Sequence, residues 1–232
     1  MHMKFLLPLL VCWALALALA LALALALATN TASAHTPTAA QQAALDVAVA
    51  QYEAGQHAAA GRSLQRLASQ GMPAAQFSLA VMHLRGELPK PSRQRARALL
   101  LSAASAGLVT AQVMLGQSLE DGLFGARDLS AAHDWYERAA RAGSVEGQLA
   151  MGTAYFLGRG RPLDAAQAAY WYREAAKGGD VGAMYLIASQ YEKGDGVPQD
   201  LRLAEYWYGQ AAQQGDVAAQ VKQRALHAAA GR

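Results

Sequence analysis

Residues 179–212 read GDVGAMYLIASQYEKGDGVPQDLRLAEYWYGQAA and carry the clearest copy of a repeated pattern. The same arrangement of glycine, small, apolar and aromatic residues recurs every 36 residues along the chain. Self-similarity with a period of about 20–50 residues is typical of solenoids and other repeat proteins. The period therefore sets the structural unit from which this chain is built.

Five glycines mark successive copies of the unit, and other residue types follow each glycine at fixed offsets. A small residue comes four positions later, an apolar residue eight positions later and a second glycine fifteen positions later. Asp or Ser comes twenty-one positions later, and three copies then carry a Trp-Tyr pair and an Ala-Ala pair. The five glycines are Gly71, Gly107, Gly143, Gly179 and Gly215.

These offsets predict a pair of helices in each copy. The apolar residues four and eight positions after the repeat glycine fall on one face of a first helix, and in two copies so does the residue twelve positions after it. The glycine at fifteen suits a left-handed helix end, and the Asp or Ser at twenty-one suits the N-cap of a second helix. One such pair cannot bury its own apolar faces, but stacked pairs can. The sequence therefore predicts an all-α solenoid of antiparallel helix pairs.

The predicted helices cover most of the chain after residue 45. They comprise residues 46–53, extended upstream, and 57–69, followed by four pairs within 72–106, 108–142, 144–178 and 180–214. A last helix from 216 to about 229 is expected to cap the stack, with Lys222, Arg224 and His227 toward solvent. Because Trp recurs at one offset in three consecutive copies, we expect Trp171 to be buried.

Because of the residues at these offsets, the sequence resembles the SEL-one-like repeats, which are relatives of the tetratricopeptide repeat. The copy quoted above is the clearest, and the copies from Gly107 and Gly143 match well. The copy from Gly71 matches poorly, with His83 in place of Tyr and Leu99-Leu100 in place of Trp-Tyr. The resemblance implies a right-handed α/α superhelix that serves as an adaptor or scaffold. In secreted bacterial members it implies a periplasmic or cell-surface partner.

The first 34 residues are typical of a secretory signal peptide. One Lys precedes an apolar run over residues 5–28, and a polar stretch then ends in Ala32-Ser33-Ala34. We expect cleavage after Ala34 and a periplasmic or secreted protein that begins at His35. The alternative is an uncleaved membrane anchor, because the apolar run is long enough to span a bilayer. Cys12, the single cysteine, lies inside this run, so the cleaved chain would have none.

The predicted organisation has four parts. These are a signal peptide over 1–34, a tetratricopeptide-like helix pair over 35–70, four repeats over 71–215 and a capping helix over 216–232.

Motifs for catalysis, cofactors or metals are weak in this sequence. Gly158-Arg-Gly160 and Gly194-Asp-Gly196 share one repeat offset and are interpreted as turns between helices, not as phosphate loops. No Gly-x-Ser-x-Gly or Ser-x-x-Lys occurs, and no two histidines after the signal are spaced for zinc. We therefore expect no cofactor, no metal and no enzyme. The alternative is a cell-envelope hydrolase of the penicillin-recognising or β-lactamase-like type.

The charge is low, with a formal net value of +3, and does not suggest nucleic acid. One basic cluster crosses the copy that follows Gly71. It comprises Arg85, Lys90, Arg93, Arg95 and Arg97. A solvated helix face is the favoured interpretation, because the charges spread around the helix. Docking of an anionic partner or envelope polymer is the alternative.

By analogy with tetratricopeptide repeats, we expect a protein or peptide partner to bind along the concave face formed by the first helices. Positions six, ten and thirteen after each repeat glycine would line it. The candidate binding residues are Phe77, Leu84, Val113, Gln117, Glu120, Leu149, Thr153, Phe156, Tyr185, Ser189 and Glu192. The sixth-position row could equally be core between repeats. A row that holds Glu120 and Glu192 is not expected to be buried without partners, so Phe156 in that row is a candidate exposed anchor. No membrane contact is expected after cleavage.

Overall fold

The computed structural model describes residues 37–229 and residue 231, and this part of the chain is entirely helical, with turns between the helices. The proposed signal peptide, Cys12 and the cleavage site after Ala34 lie outside the described residues. Eleven α-helices follow one another. They are α1 Ala39–Glu53, α2 His57–Ser69, α3 Pro73–Arg85, α4 Arg93–Ser105, α5 Val109–Asp121, α6 Leu129–Arg141, α7 Val145–Leu157, α8 Ala165–Lys177, α9 Val181–Lys193, α10 Leu201–Gln213 and α11 Val217–Ala229.

The helices pair as the sequence period predicts. In the four repeats, a first helix of 13 residues is joined to a second helix of 13 residues. The main contacts of every helix are with the helices directly before and after it in the chain. Packing restricted to neighbouring units is the defining property of a solenoid. The predicted α/α solenoid class is therefore confirmed.

Both helix-end predictions are also confirmed. The first helices end at Gly86, Gly122, Gly158 and Gly194, which are all left-handed. The second helices begin after Ser92, Asp128, Asp164 and Asp200, whose side chains accept hydrogen bonds from backbone N–H groups of the first turn. Because these bonds satisfy donors that the helix itself leaves free, they fix where each second helix starts.

The interpretation of the paired glycines as turns is confirmed at Gly194 and Gly196. Gly196 has a φ of 72°, and a Cβ there would lie 2.1 Å from the carbonyl oxygen of Ala165 in α8. Only glycine allows this loop to pack so closely on the second helix of the preceding pair.

The core is built from tyrosine, alanine and a few large aliphatic side chains. The tyrosines of the three Trp-Tyr pairs, Tyr136, Tyr172 and Tyr208, are buried. Trp171 is buried as predicted, at 7% exposure. In the poorly matching copy, Leu100 occupies the tyrosine position and is fully buried. That copy therefore keeps the packing of the others with an aliphatic side chain.

The last helix differs from its prediction at one residue. Arg224 and His227 are exposed as expected, but Lys222 is half-buried. Its Nζ lies 2.9 Å from Oε1 of Glu192 in α9. Lys222 therefore points toward the preceding pair, because the carboxylate of Glu192 attracts its ammonium group.

Candidate protein-binding face

Tyrosines of the second helices place their hydroxyl groups against residues on the face formed by the first helices. Tyr136 donates a hydrogen bond to Glu120 over 3.1 Å, and Tyr208 donates one to Glu192 over 2.7 Å. Tyr172 donates to the Thr153 hydroxyl over 3.4 Å. Each tyrosine thus reaches from the core to a residue that the sequence assigns to the binding face.

The carboxylates at position thirteen are half-buried, and both have partners. Glu120 lies 3.6 Å from Arg159, and Glu192 contacts Lys222. Burial raises the pKa of Tyr136, and the carboxylate of Glu120 raises it further, so the phenol remains a donor at neutral pH. Both acids are therefore partly buried and held by neighbouring side chains.

Two pockets lie on this face, each between consecutive first helices. The α5–α7 pocket has a volume of about 240 Å³ and the α1–α3 pocket one of about 180 Å³. The α5–α7 pocket is lined by Gln117, Glu120, His133, Tyr136, Glu146, Leu149, Ala150, Thr153, Ala154 and Arg159. The α1–α3 pocket is lined by Ala48, Val49, Tyr52, Leu64, Phe77, Ser78, Val81, Met82 and Arg85.

The two pockets are equivalent sites in different repeats. Their second walls use the same positions, six, seven, ten and eleven after the repeat glycine. Positions six and ten were predicted to line this face, whereas seven and eleven were not. The analogy with tetratricopeptide repeats indicates only positions six, ten and thirteen, and no residue type recurs at seven or eleven to add them. In the α5–α7 pocket the structure brings together four candidate residues, namely Gln117, Glu120, Leu149 and Thr153.

His133 was not among the candidates, although it lines the same pocket from α6. It is 4% exposed, and its Nδ1 has no hydrogen-bond partner among the described residues. Burial lowers the pKa of His133, and Arg161 and Arg159 add to this effect while Glu120 opposes it. The ring is therefore neutral at neutral pH. A single buried histidine at a helix position carries no pattern by which sequence reasoning could have found it.

The sixth-position row is largely packing between repeats. Val113 is only 6% exposed and belongs to the core, so its assignment to the binding face is corrected. Leu149 and Tyr185 are half-buried against the core cluster of the last repeats, and the Tyr185 ring lies 5.2 Å from that of Tyr208. Phe77 is half-buried and lines the α1–α3 pocket.

The remaining candidates vary in exposure. Ser189 and Leu84 are half-buried, and Leu84 packs against the core of the poorly matching copy. Phe156 is 41% exposed, with its ring 6.3 Å from that of Tyr172. Since an aromatic ring with this much apolar surface is costly to leave in water, Phe156 is the strongest anchor candidate on the face.

Neither a metal cluster nor a membrane span is found in the described part of the chain. Across residues 37–229 and 231, no three His, Cys, Asp or Glu side chains are grouped so that they could hold an ion. None of the eleven described helices combines the length and apolar character needed to cross a bilayer.

Comparison with known proteins supports the repeat assignment. The Sel1 repeat model matches residues 73–108, 109–144, 145–180 and 181–216, and each match starts at the first residue of a first helix. A Sel1 repeat protein from Oxalobacter formigenes is 34% identical, with a TM-score of 0.68, over 73% of this chain and 49% of that chain. No curated protein matches the chain.

A second solved structure is the protective antigen c5321, present in uropathogenic Escherichia coli and displaying an SLR fold. It is 29% identical, with a TM-score of 0.72, over 79% of this chain and 40% of that chain. The chain thus spans half or less of the length of both solved relatives. Because the four matches cover most of the described helices, the chain belongs to the Sel1 repeat family, whose members are generally protein-interaction scaffolds.

Proposed function

We propose that the protein is an exported, non-catalytic scaffold that binds a partner protein or peptide through the face formed by its first helices. The observation that carries this proposal is the α5–α7 pocket, which gathers four side chains from two consecutive first helices. A pocket repeated at equivalent positions along a solenoid suits an extended or helical peptide with side chains at regular intervals.

Several polar groups of the α5–α7 pocket are already paired and oriented, whereas Nδ1 of His133 has no hydrogen-bond partner among the described residues. The Gln117 amide donates to Glu146, and Glu120 accepts from Tyr136 and pairs with Arg159. Side chains held in place lose little conformational entropy when a partner binds. The pocket is therefore suited to recognition of a peptide and its hydrogen-bonding groups, and the exposed Phe156, elsewhere on α7, offers an apolar contact.

Export to the periplasm or beyond is part of the proposal. It is supported by the apolar run over residues 5–28 and by the Ala32-Ser33-Ala34 site that follows it.

Affinity capture from the native cell envelope tests the binding face. The bait is residues 35–232 with a photo-crosslinker, and the test variant is Phe156→Ser. The matched control is Leu201→Ser, because Leu201 is also an exposed apolar residue, at 50%, but lies on a second helix. We expect Phe156→Ser to reduce the recovered partner roughly tenfold or more, as for a hot-spot aromatic. Leu201→Ser should recover as much partner as the unchanged chain.

Both variants should keep the melting temperature and helical signal of the unchanged chain. Equal recovery with both variants, or equal loss with both, contradicts the assignment of the first-helix face. Tyr185 is a poorer choice for this test, because its contact with Tyr208 gives it a structural role.

A further inference from the structure

We propose that the α1–α3 pocket binds an apolar side chain of a partner peptide in which the neighbouring residues are acidic. This inference rests on the proposed function and names the partner chemistry for one of the two pockets.

The α1–α3 pocket is apolar in its walls and open to solvent. Val49 of α1, Phe77 of α3 and Leu64 of α2 all line it. Val49 is 45% exposed although it lines the pocket, and Phe77 and Val81 are half-buried. A volume of about 180 Å³ accommodates one large aliphatic or aromatic side chain. Burying such a side chain stabilises a complex by roughly 1.5–3 kcal/mol before ordering costs.

One cation lies at the edge of this pocket. Arg85 donates to the Tyr52 hydroxyl over 3.1 Å, and Tyr52 donates to Glu87 over 3.0 Å. The nearest carboxylate to Arg85 is that of Glu87, at 3.9 Å, and the Arg85 side chain is 62% exposed. Arg85 is therefore only loosely paired, and its remaining guanidinium donors face solvent beside the apolar walls.

The surrounding charge is also positive. Residues 37–108 carry seven Arg or Lys and three Asp or Glu, a net charge of +4, whereas residues 109–229 carry eleven and fourteen, a net charge of −3. The three acids are Asp46, Glu53 and Glu87, and the basic residues other than Arg85 are Arg62, Arg66, Lys90, Arg93, Arg95 and Arg97. Among the described residues, none of these six is in an ion pair. Such a field raises the local concentration of anionic partners.

The equivalent α5–α7 pocket has the opposite charge. It is lined by Glu120 and Glu146 against the single cation Arg159. Position ten of the second wall is Thr153 there and Val81 in the α1–α3 pocket, and the first wall contributes Gln117 there and Val49 here. The α1–α3 pocket is therefore suited to apolar and anionic groups, and the α5–α7 pocket to polar groups. The two pockets can thus distinguish the two ends of one bound peptide.

A selection from a display library of random peptides tests the inference. The targets are residues 35–232 unchanged, with Val81→Glu, and with Val217→Glu as the matched control at the exposed first residue of α11. We expect the unchanged chain and the control to enrich peptides in which an apolar residue is flanked by Asp or Glu. The Val81→Glu chain should lose this class, because the new carboxylate occupies the pocket and repels acids.

Fluorescence anisotropy with the most enriched peptide and its lysine-flanked counterpart gives the second measurement. The acid-flanked peptide should bind at least about tenfold more tightly at low salt, and the difference should shrink at high salt. Arg85→Gln, which keeps the apolar walls, should weaken only the acid-flanked peptide. The inference would be overturned if the selected peptides were basic, showed no charge preference or formed no enriched class. It would also be overturned if Val81→Glu did not change which peptides are enriched.

The two proposals can fail separately. If envelope capture depends on Phe156 but the selected peptides show no preference for acidic residues, only the inference about the α1–α3 pocket is refuted. If capture does not depend on Phe156 but acidic peptides still bind in a Val81-dependent way, the role of Phe156 in partner binding is refuted. The inference about the α1–α3 pocket is then retained.

Discussion

Trp171 and Tyr172 are adjacent in sequence and both are buried, but they contact different parts of the core. Trp171 packs in the cluster that contains Tyr136 and Met151, whereas Tyr172 packs in the cluster that contains Ile187. Adjacent residues on a helix point in different directions, so one Trp-Tyr pair links the preceding unit to the following one.

Trp171→Ala is expected to destabilise the fold by roughly 3–5 kcal/mol, the usual cost of truncating a large buried aromatic. Urea denaturation measures this loss. Tyr206→Ala is the control, because Tyr206 is 54% exposed, and it should cost less than about 1 kcal/mol. A loss below about 1 kcal/mol for Trp171→Ala would show that this side chain is not part of the core.

Glu192 links three helices, because it accepts from Tyr208 of α10 and pairs with Lys222 of α11. Burial disfavours its charged form, but the hydrogen bonds from Lys222 and Tyr208 outweigh this effect and lower the pKa of Glu192. A carboxylate with a lowered pKa in the folded state stabilises the fold above its unfolded pKa. That stabilisation disappears as pH falls through the folded-state pKa.

We therefore expect Glu192→Gln to be less stable than the unchanged chain at neutral pH and to approach its stability in acid. The measurement is the free energy of unfolding between about pH 7 and pH 3. Glu53→Gln, at an exposed position of α1, should leave the pH dependence unchanged. Parallel pH curves for the Glu192 variant and the unchanged chain would contradict this role.

At the level of the helices, ends are fixed by short polar contacts and not by the core. Asp164 accepts a hydrogen bond from the backbone N–H of Gln167 over 2.9 Å, and equivalent caps start the other second helices of the repeats. Each cap also determines the length of the loop before it, and thus where the second helix packs against the first.

Asp164→Ala should lower the free energy of unfolding by about 0.5–2 kcal/mol, because the first turn of α8 loses its acceptor. Asp164→Asn should retain most of the stability, since the amide oxygen can accept the same hydrogen bond. Thermal and urea denaturation of both variants measures the difference. Equal stability of the Ala and Asn variants would show that the cap does not contribute.

In the molecule as a whole, contacts between consecutive helices dominate, so stability is expected to be a property of neighbouring units. Removal of residues 216–232 exposes the side of α10 that α11 covers. Hydrogen exchange should then accelerate in α9 and α10 and change little in α3 to α5. Lys222→Ala in the full chain is the control, because it removes the ion pair with Glu192 but keeps the helix. Uniform acceleration in all helices would mean that the solenoid unfolds as one unit.

The proposed signal peptide predicts processing of the chain after Ala34. N-terminal sequencing of the protein recovered from the periplasm or culture medium should start at His35, because Ala32-Ser33-Ala34 is a small-residue cleavage site. A protein that keeps residues 5–28 and sediments with membranes would instead be anchored.

The candidate binding site was predictable only in part. Gln117 and Thr153 could be assigned to the α5–α7 pocket from their offsets alone, because the repeat period places them on one face of each first helix. His133 could not be assigned to the pocket from its offset, because it lies on the second helix α6. Its position in the pocket depends on how α6 packs against the first helices.

The helices, their ends and their pairing follow from local sequence and the repeat period. Caps such as Gly158 and Asp164 act on backbone groups within one turn, so local residues are sufficient to specify them. Burial of the repeated rows was decided only by the tertiary structure. Val113 and Val221 occupy the same position of the repeat, yet Val113 is 6% exposed and Val221 is 62% exposed. Val113 is covered by the helix pair that follows it, whereas Val221 lies on the last described helix, because burial depends on the neighbouring unit and not on the residue itself.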